Sequence, residues 1–367
     1  MVEWKKLGNL CTIKTGKLNA NAQVENGEYP FFTCDANPYK IDKYAFDTEA
    51  LLLSGNGSQV GHLNYYKGKF NAYQRTYVLD RFCGIDVFYL YYYMKGTIRQ
   101  YVMDKSKKGS VPYITLPMLE NFELPIPDII EQERIVGILD MFTSSIDNLK
   151  QQIAQRRKQY EFYRDQLLDL EGKEGVEMKT LGEIFDTRNG YTPSTSNSAF
   201  WDGGVIPWFK MEDIRDNGRI LSDSNLHITP FAVKGKGLFK ANSIILATSA
   251  TIGEHALITV EHLCNQRFTN FYPNKDYADK VNMKYFYYYM FVIDEWCKQH
   301  LKQGSFASVD MTGLFNLLIP VPSLSEQQRI VDILDKFEAS IQNLESQLSQ
   351  REKQYEYYRN KLLTFED

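Results

Sequence analysis

Residues 124–171 read LPIPDIIEQERIVGILDMFTSSIDNLKQQIAQRRKQYEFYRDQLLDLE, and residues 319–366 read IPVPSLSEQQRIVDILDKFEASIQNLESQLSQREKQYEYYRNKLLTFE. At an offset of 195 residues, 27 of the 48 positions are identical. An internal repeat of this size decides the architecture before any single element does. Leu139, Phe142, Ile146, Leu149, Ile153, Arg156, Tyr160, Tyr163 and Leu167 recur at alternating spacings of three and four. Leu334, Phe337, Ile341, Leu344, Leu348, Arg351, Tyr355, Tyr358 and Leu362 repeat that register. A sustained period of about 3.5 residues keeps one apolar seam facing a partner helix. Both segments open with capping-box spacing after a proline, Asp128 to Glu131 and Ser323 to Glu326. Each helix, from about residue 130 to 168 in the first copy, would be on the order of 57 Å long.

Working outward, the globular stretches repeat more faintly. WKKLGNLCTIKTG (4–16) matches MKTLGEIFDTRNG (178–190), and LLLSGNGSQVG (51–61) parallels SIILATSATIG (243–253). Gln74-Arg75 corresponds to Gln266-Arg267, and YLYYYM (89–94) to YFYYYM (285–290). KKGS (107–110) corresponds to KQGS (302–305). Short apolar runs between turns, with one tyrosine-rich helix per copy, predict an α+β chain built of two mixed α/β domains with curved sheets. The predicted order is domain 1–127, spacer helix 128–172, domain 173–322 and spacer helix 323–367. Two near-identical seams in one chain would pair most simply as an antiparallel coiled coil. That pairing sets the domains at opposite ends and brings the end of the second helix back to the start of the chain, a pseudo-twofold arrangement. A homodimeric coiled coil between chains is the alternative. Arg156 and Arg351 interrupt both seams, as register devices or as stems that snorkel outward.

The net charge of −4 argues against a large positive surface, but it is unevenly spread. Each spacer segment holds 6 basic and 9 acidic residues, whereas residues 1–127 hold 15 basic and 12 acidic. Any positive surface is therefore local. The five cysteines lack CxxC spacing, no stretch looks like a secretion signal and no apolar run reaches membrane-spanning length, so a soluble cytoplasmic protein is expected.

Catalytic patterns are weak. Asn37-Pro38-Tyr39 reads as a turn, and no glycine-rich strand-to-helix element precedes it to hold a nucleoside cofactor. His255, His262 and Cys264 match no familiar metal-ligand spacing and read as ordinary histidines and a core thiol. No Walker loop and no GxSxG elbow is present. The chain reads as non-catalytic, with no cofactor and no metal of its own.

Binding patterns are better. In the first domain the candidates are Lys14, Thr15, Lys17, Ser58, Gln59, Gln74, Arg75, Lys105, Lys107, Lys108 and Ser110. In the second they are Arg188, Tyr191, Thr192, Ser194, Lys210, Lys234, Lys236, Thr248, Ser249, Thr251, Gln266, Arg267, Gln303 and Ser305. Lys and Arg supply the salt-dependent phosphate contacts, while Arg, Gln and Ser can also reach base edges. Recurrence of these loops at equivalent places in both halves raises them above ordinary solvated surface. The tyrosine helices read as core.

Taken together, GYTPS…FWDGGVIPWFKMEDI (190–214), LLLSGNGSQVGHLNYYKGKFNAYQRTYVL (51–79) and KKGSVPYITLPMLENFELPIP running into EQERIV (107–136) resemble the specificity subunit of type I restriction–modification enzymes. The resemblance spans the whole chain. It implies two target-recognition domains, each reading half of a split sequence in double-stranded DNA, and paired helices that space them. It also implies docking of two methyltransferase subunits, which bring S-adenosylmethionine, and of an ATP-driven restriction subunit. Glu131, Arg134, Gln159, Glu326, Arg329 and Gln354, on outward faces and near the EQxRIV starts, are the expected partner-binding residues. The first domain departs from the pattern: KTGKLNANAQVENGEYPFFTCDAN stands where the second has its TPS and GG-I-PW elements. The rival reading is an interaction scaffold whose globular ends bind proteins.

Overall fold

The structure, a computed structural model, describes residues 2–105, 112–302 and 307–365. The chain divides into two units, residues 1–152 with 344–367, and residues 153–343. Each unit holds one globular repeat, a portion of the first long helix and a portion of the second.

In the first unit the strands are β1 (Glu3–Lys6), β2 (Thr12–Thr15), β3 (Tyr29–Phe32), β4 (Tyr39–Ile41), β5 (Phe46–Ser54), β6 (Leu63–Ala72) and β7 (Thr76–Asp80). Helices α1 (Val87–Lys105) and α2 (Leu116–Glu120) follow, then β8 (Glu123–Ile126) and the long helix α3 (Ile129–Leu168). The main sheet runs β2-β7-β5-β6-β3-β4, antiparallel except where β3 lies parallel to β6. The run ALLLS ends the central strand because both faces of that strand are covered. Leu51 and Leu53 face the core under α1, while Ala50 and Leu52 face a second core with Phe32 and Phe70, the two-residue alternation of a strand. β1 pairs with β8 beside the sheet and delivers the chain into α3.

The second unit repeats the plan. Its elements are β9 (Glu177–Thr180), α4 (Leu181–Ile184), β10 (Phe185–Asn189), β11 (Ile206–Phe209), α5 (Met211–Asn217), β12 (Ile220–Leu221), β13 (His227–Ile228) and β14 (Ser243–Ala247). β15 (His255–Ile258), β16 (Leu263–Cys264), β17 (Phe268–Pro273), α6 (Met283–Gln299), β18 (Leu301–Lys302), β19 (Ser308–Val309), α7 (Met311–Phe315), β20 (Leu318–Val321) and α8 (Leu324–Leu363) complete it. The order β10-β17-β14-β15 matches β2-β7-β5-β6. Where the first unit has one long β6, the second breaks it into β15 and β16, and β12 adds itself to the edge at β15.

This alignment corrects one expectation from the sequence. The first domain does contain the counterpart of GVIPWF. Tyr29-Pro30-Phe31-Phe32 runs parallel to the end of β6 and antiparallel to β4, as Ile206-Pro207-Trp208-Phe209 does to β16 and β13. Gly27 and Gly204 serve the same purpose. A Cβ on Gly27 would lie 2.4 Å from the backbone of Ile41, and one on Gly204 would lie 2.6 Å from that of His227. Only the glycine, the proline and the last phenylalanine are common to both stretches, which is why the match escapes the eye.

The tyrosine helices are core. Tyr89, Tyr92 and Tyr93 are buried in the first unit, and Tyr285, Tyr287, Tyr288 and Tyr289 in the second. Tyr89 donates to the carbonyl of Pro125 and Tyr285 to that of Pro320. Tyr92 and Tyr288 donate to Asp140 and Asp335 on the long helices. Each long helix begins at a joint of the same kind. Gln132 is buried, accepts the backbone N–H of Asp86 and donates to the carbonyl of Pro127. Gln327 likewise accepts from the N–H of Asn282 and donates to Pro322 and Lys280. Asp86 and Asn282 in turn accept backbone N–H groups at the starts of α1 and α6, so one buried glutamine ties two helix starts together.

The expected capping boxes are half formed. Asp128 and Ser323 accept the N–H groups of Glu131 and Glu326. The glutamates do not return the bond; each grips the arginine three residues on with two contacts of 2.6–2.7 Å. A bidentate guanidinium is a stronger partner than one backbone N–H.

Along the seams, Phe142 stacks on Tyr358 in the first unit at 5.3 Å, and Tyr163 on Phe337 in the second at 5.5 Å. Lys150 pairs with Glu352, and Tyr160 donates to Glu338. Within each unit the two helix segments therefore run in opposite directions. Arg351 lies over Phe142 and Arg156 over Phe337, so the arginines that interrupt the seams cover an aromatic face of the other helix. Leu363 joins the core of the first domain, alongside Leu7 and Leu10.

Candidate nucleic-acid interface

Four loops of the first unit are tied together at one rim of its sheet. Gly16 packs so closely on Ala72 and Tyr73 that a Cβ there would overlap the Ala72 carbonyl. The N–H of Gly55 donates to the carbonyl of Arg75, and the N–H of Ile114 to that of Gly55. The N–H of Gly61 closes the 55–61 loop on Ser54. The second unit makes the same knot. Gly190 presses on Cys264 and Asn265, Thr248 donates to Arg267, Val309 to Thr248, and Gly253 to Ala247. Segments 14–18, 55–61, 73–76 and 112–115 thus correspond to 188–192, 248–253, 265–268 and 307–310.

Most sequence candidates fall on this rim. Lys14, Thr15, Lys17, Ser58, Gln59, Gln74 and Arg75 are exposed there, and Lys105 is exposed at the end of α1. In the second unit Thr192, Ser194, Lys234, Lys236, Gln266 and Arg267 are exposed, while Thr248, Ser249 and Thr251 are half-buried in the 248–253 loop. Lys107, Lys108, Ser110, Gln303 and Ser305 lie outside the described residues.

Three candidates hold the rim in place. Arg188 donates to the carbonyls of Lys236, Gly237 and Leu238 and stacks on Phe239, so its guanidinium shapes the 234–240 loop. Tyr191 donates to Ala232 and accepts the N–H of Lys234. Lys210 is half-buried where its N–H meets Asp213. The sequence reading grouped these with contact residues because their types suit DNA; in the structure the side chains of Arg188 and Tyr191 bond within the rim, and Lys210 does so through its backbone N–H.

Residues not singled out from sequence also build the rim. Trp208 donates its indole N–H to the carbonyl of Tyr191 and Trp201 to that of Ser194, and the two rings meet edge to face at 5.1 Å. The FWDGG and IPWF pieces therefore hold the TPS loop. In the first unit Tyr113 is exposed and, with Gly55, Asn56, Gln74 and Arg75, lines a 340 Å³ cleft. No repeat or motif in the sequence singled Tyr113 out.

His255 and His262 are buried within the fold. His255 bonds Asp294 at 2.7 Å, with Arg219 3.6 Å from the same oxygen. Burial pushes the His255 ring below its ordinary pKa, against the pull of Asp294. Burial likewise pushes His262 down to about 4 and raises the Cys264 thiol. Among the described residues, no group of three His, Cys, Asp or Glu side chains could hold a metal ion, and no helix is long and apolar enough to cross a membrane.

Of the candidate docking residues, half-buried Glu131 and Glu326 form intrahelical pairs with exposed Arg134 and Arg329. Gln159 is exposed. Gln354 accepts from Arg351 and lines a polar groove in the first unit with Asn148, Gln152, Gln347 and Gln350.

A family model described as the type I restriction modification DNA specificity domain matches residues 1–156 and 173–351. The chain belongs to that family. Its two matches cover both repeats, as the paired rims require of a duplicated specificity domain. The specificity subunit of the EcoprrI type I restriction enzyme of Escherichia coli is 50% identical over 216 residues, 56% of this chain and 53% of that protein. The chain thus spans about half the length of that relative. The EcoR124I/EcoR124II specificity subunit of Escherichia coli is 37% identical over 296 residues, 76% of this chain and 70% of that one. The type I S subunit from M. genitalium shares the fold over 100% of this chain and 97% of its own, with a TM-score of 0.60 and 17% identity. A chain from a study of assembly and conformational transition in the type I R-M system shares it with a TM-score of 0.66 and 16% identity, over 99% and 97%.

Proposed function

We propose that this chain is the non-catalytic DNA-reading subunit of a type I methyltransferase and endonuclease. The observation that carries the reading is the rim built twice from equivalent loops, each presenting exposed Gln, Arg, Lys, Ser and Thr side chains. Two such rims suit a target in two parts, one half-site per domain. Direct readout would come from the loops that differ between the rims, and the positive charge needed is local, consistent with the overall negative balance.

On this reading, the long helices pair as an antiparallel coiled coil that fixes the interval between half-sites. Each has 40 residues, about 60 Å of helix, ample to span one DNA turn of about 34–36 Å. Their outward faces would dock two methyltransferase subunits, which bring S-adenosylmethionine, and a restriction subunit would bring ATP-driven cleavage. The chain needs no cofactor of its own.

The test is affinity purification of the full chain from its native cell, with mass spectrometry of what accompanies it and mapping of methylated positions in cellular DNA. Methyltransferase co-purifying at about two copies per chain, with methylation at a split motif that vanishes on deletion, supports the reading. Recovery of unrelated partners and an unchanged methylation map would favour the scaffold. Inserting one heptad into both helices should change the tolerated spacer and leave the half-site sequences alone.

A further inference from the structure

Among the described rim residues, the polar side chains differ nearly everywhere except at one dipeptide. Gln74-Arg75 and Gln266-Arg267 occupy the same four-residue turn, closed by the N–H of Thr76 on Tyr73 and by that of Phe268 on Asn265. In both turns the arginine carbonyl is pinned from across the rim, by Gly55 at 2.9 Å and by Thr248 at 3.0 Å. In both, the glutamine side chain reaches the loop after the close-packed glycine: Gln74 donates to Asn19, and Gln266 accepts from Thr192. The arginine head groups are exposed, and neither makes a hydrogen bond or ion pair among the described residues. Arg188, the other arginine of the second rim, is held by three carbonyls.

A residue that reads a base should change when the base changes, whereas a phosphodiester is the same under every base pair. Around the dipeptide the rims have diverged: Gly57-Ser58-Gln59 stands against Thr248 to Thr251, and Lys14 to Lys17 against Arg188 to Tyr191. One arginine on a rigid turn has stayed. We infer that Arg75 and Arg267 are sequence-independent anchors, each gripping one backbone phosphate of its half-site, and that Gln74 and Gln266 are positioning residues that fix the neighbouring loop. The planar guanidinium suits a phosphate through paired N–H donors, and the pinned carbonyl holds the turn still while the side chain engages. This rests on the DNA-reading function proposed above and sorts its contacts into backbone and base.

The experiment uses the full chain assembled with its methyltransferase subunits. Arg75→Ala, Arg267→Ala and the matching lysine variants are titrated against the methylated-motif duplex and against duplexes with each motif base pair replaced, from low to high KCl. Each alanine variant should weaken every duplex by the same factor, roughly tenfold at low salt. The slope of log affinity against log salt should become shallower by about 0.9 per arginine lost, lysine should restore most of the binding, and the ranking of substituted duplexes should stay fixed. Selective loss of discrimination at one base pair would overturn the proposal and make that arginine a base reader. Unchanged affinity would also overturn it. A wild-type complex that shows no salt-dependent duplex binding would instead sink the DNA-reading function, and the anchors with it.

Discussion

The buried His255–Asp294 pair offers a test in which the protein supplies its own control. His255 pairs with Leu246 across β15 and β14, as Leu63 pairs with Leu53 across β6 and β5. Asp294 holds the place on α6 that Ile98 holds on α1. Leu63 and Ile98 are 5% and 0% exposed, and His255 and Asp294 are 0% and 3%. One domain thus fills with two aliphatic side chains the site that the other fills with a hydrogen-bonded histidine and aspartate. His255→Leu leaves the Asp294 carboxylate buried with only the partly exposed Arg219 at 3.6 Å, which should cost about 3–5 kcal/mol. Asp294→Ile removes a charge-assisted hydrogen bond and should cost about 2–3 kcal/mol. The double variant copies the Leu63 and Ile98 arrangement and should lie within about 2 kcal/mol of the parent, allowing for some overpacking. Because a chain of two units need not unfold in one transition, the assay is urea denaturation followed by hydrogen exchange of peptides from α6 and β15. The pair also carries a pH signature. Burial holds the folded His255 pKa below its ordinary 6.5, so the unfolded chain binds a proton that the folded chain refuses. Stability of this region should fall as pH drops below 6.5, and the double variant should lose that part of the fall. His262, held at about 4 in the fold, leaves a second component in place. If the double variant is as unstable as the two single costs combined, the histidine–aspartate pair is not interchangeable with an aliphatic contact and the domain comparison is wrong.

Gln132→Leu and Gln327→Leu each strip a buried joint of its bonds to backbone groups, and each should lower stability by about 2–4 kcal/mol in urea denaturation. Gly190→Ala puts a Cβ 2.2 Å from the Asn265 carbonyl; the rim must shift, so proteolysis of the 188–196 loop should accelerate and duplex affinity should fall. Glu338 is half-buried beside Tyr160 and Tyr288, and desolvation raises its pKa. Its ionised form therefore weighs against folding as pH rises through that value, so Glu338→Gln should raise the melting temperature more at pH 7.5 than at pH 5.

The long helices, their register and the duplicated domains were legible because period, capping and repeat length are local properties of the chain. The capping boxes misled in one detail, since spacing cannot say that Glu131 prefers Arg134 to the backbone. The first domain's Tyr29–Phe32 strand went unrecognised because its place depends on parallel pairing with the end of β6, a contact some 40 residues away in sequence. Among rim residues, type and recurrence picked out Arg75 and Arg267, which the structure exposes. They could not separate these from Arg188, whose three carbonyl partners come from a loop about 50 residues downstream. Trp201 and Trp208 stood in a quoted motif, yet their role as props for the loop at 191–194 is a matter of direction, which composition does not encode.

The joints at Gln132 and Gln327 have a consequence for how such chains diversify. Each glutamine binds backbone groups, the N–H of Asp86 or Asn282 and the carbonyl of the proline before the helix. Every polypeptide supplies those groups whatever its side chains. A foreign domain with a helix start and a proline at the right places could use the same joint, with a tyrosine on that helix to meet Asp140 or Asp335. The seam and the joint can then stay constant while the rims are replaced wholesale, and a new target could arise by exchange of a cassette as well as by gradual change of contacts.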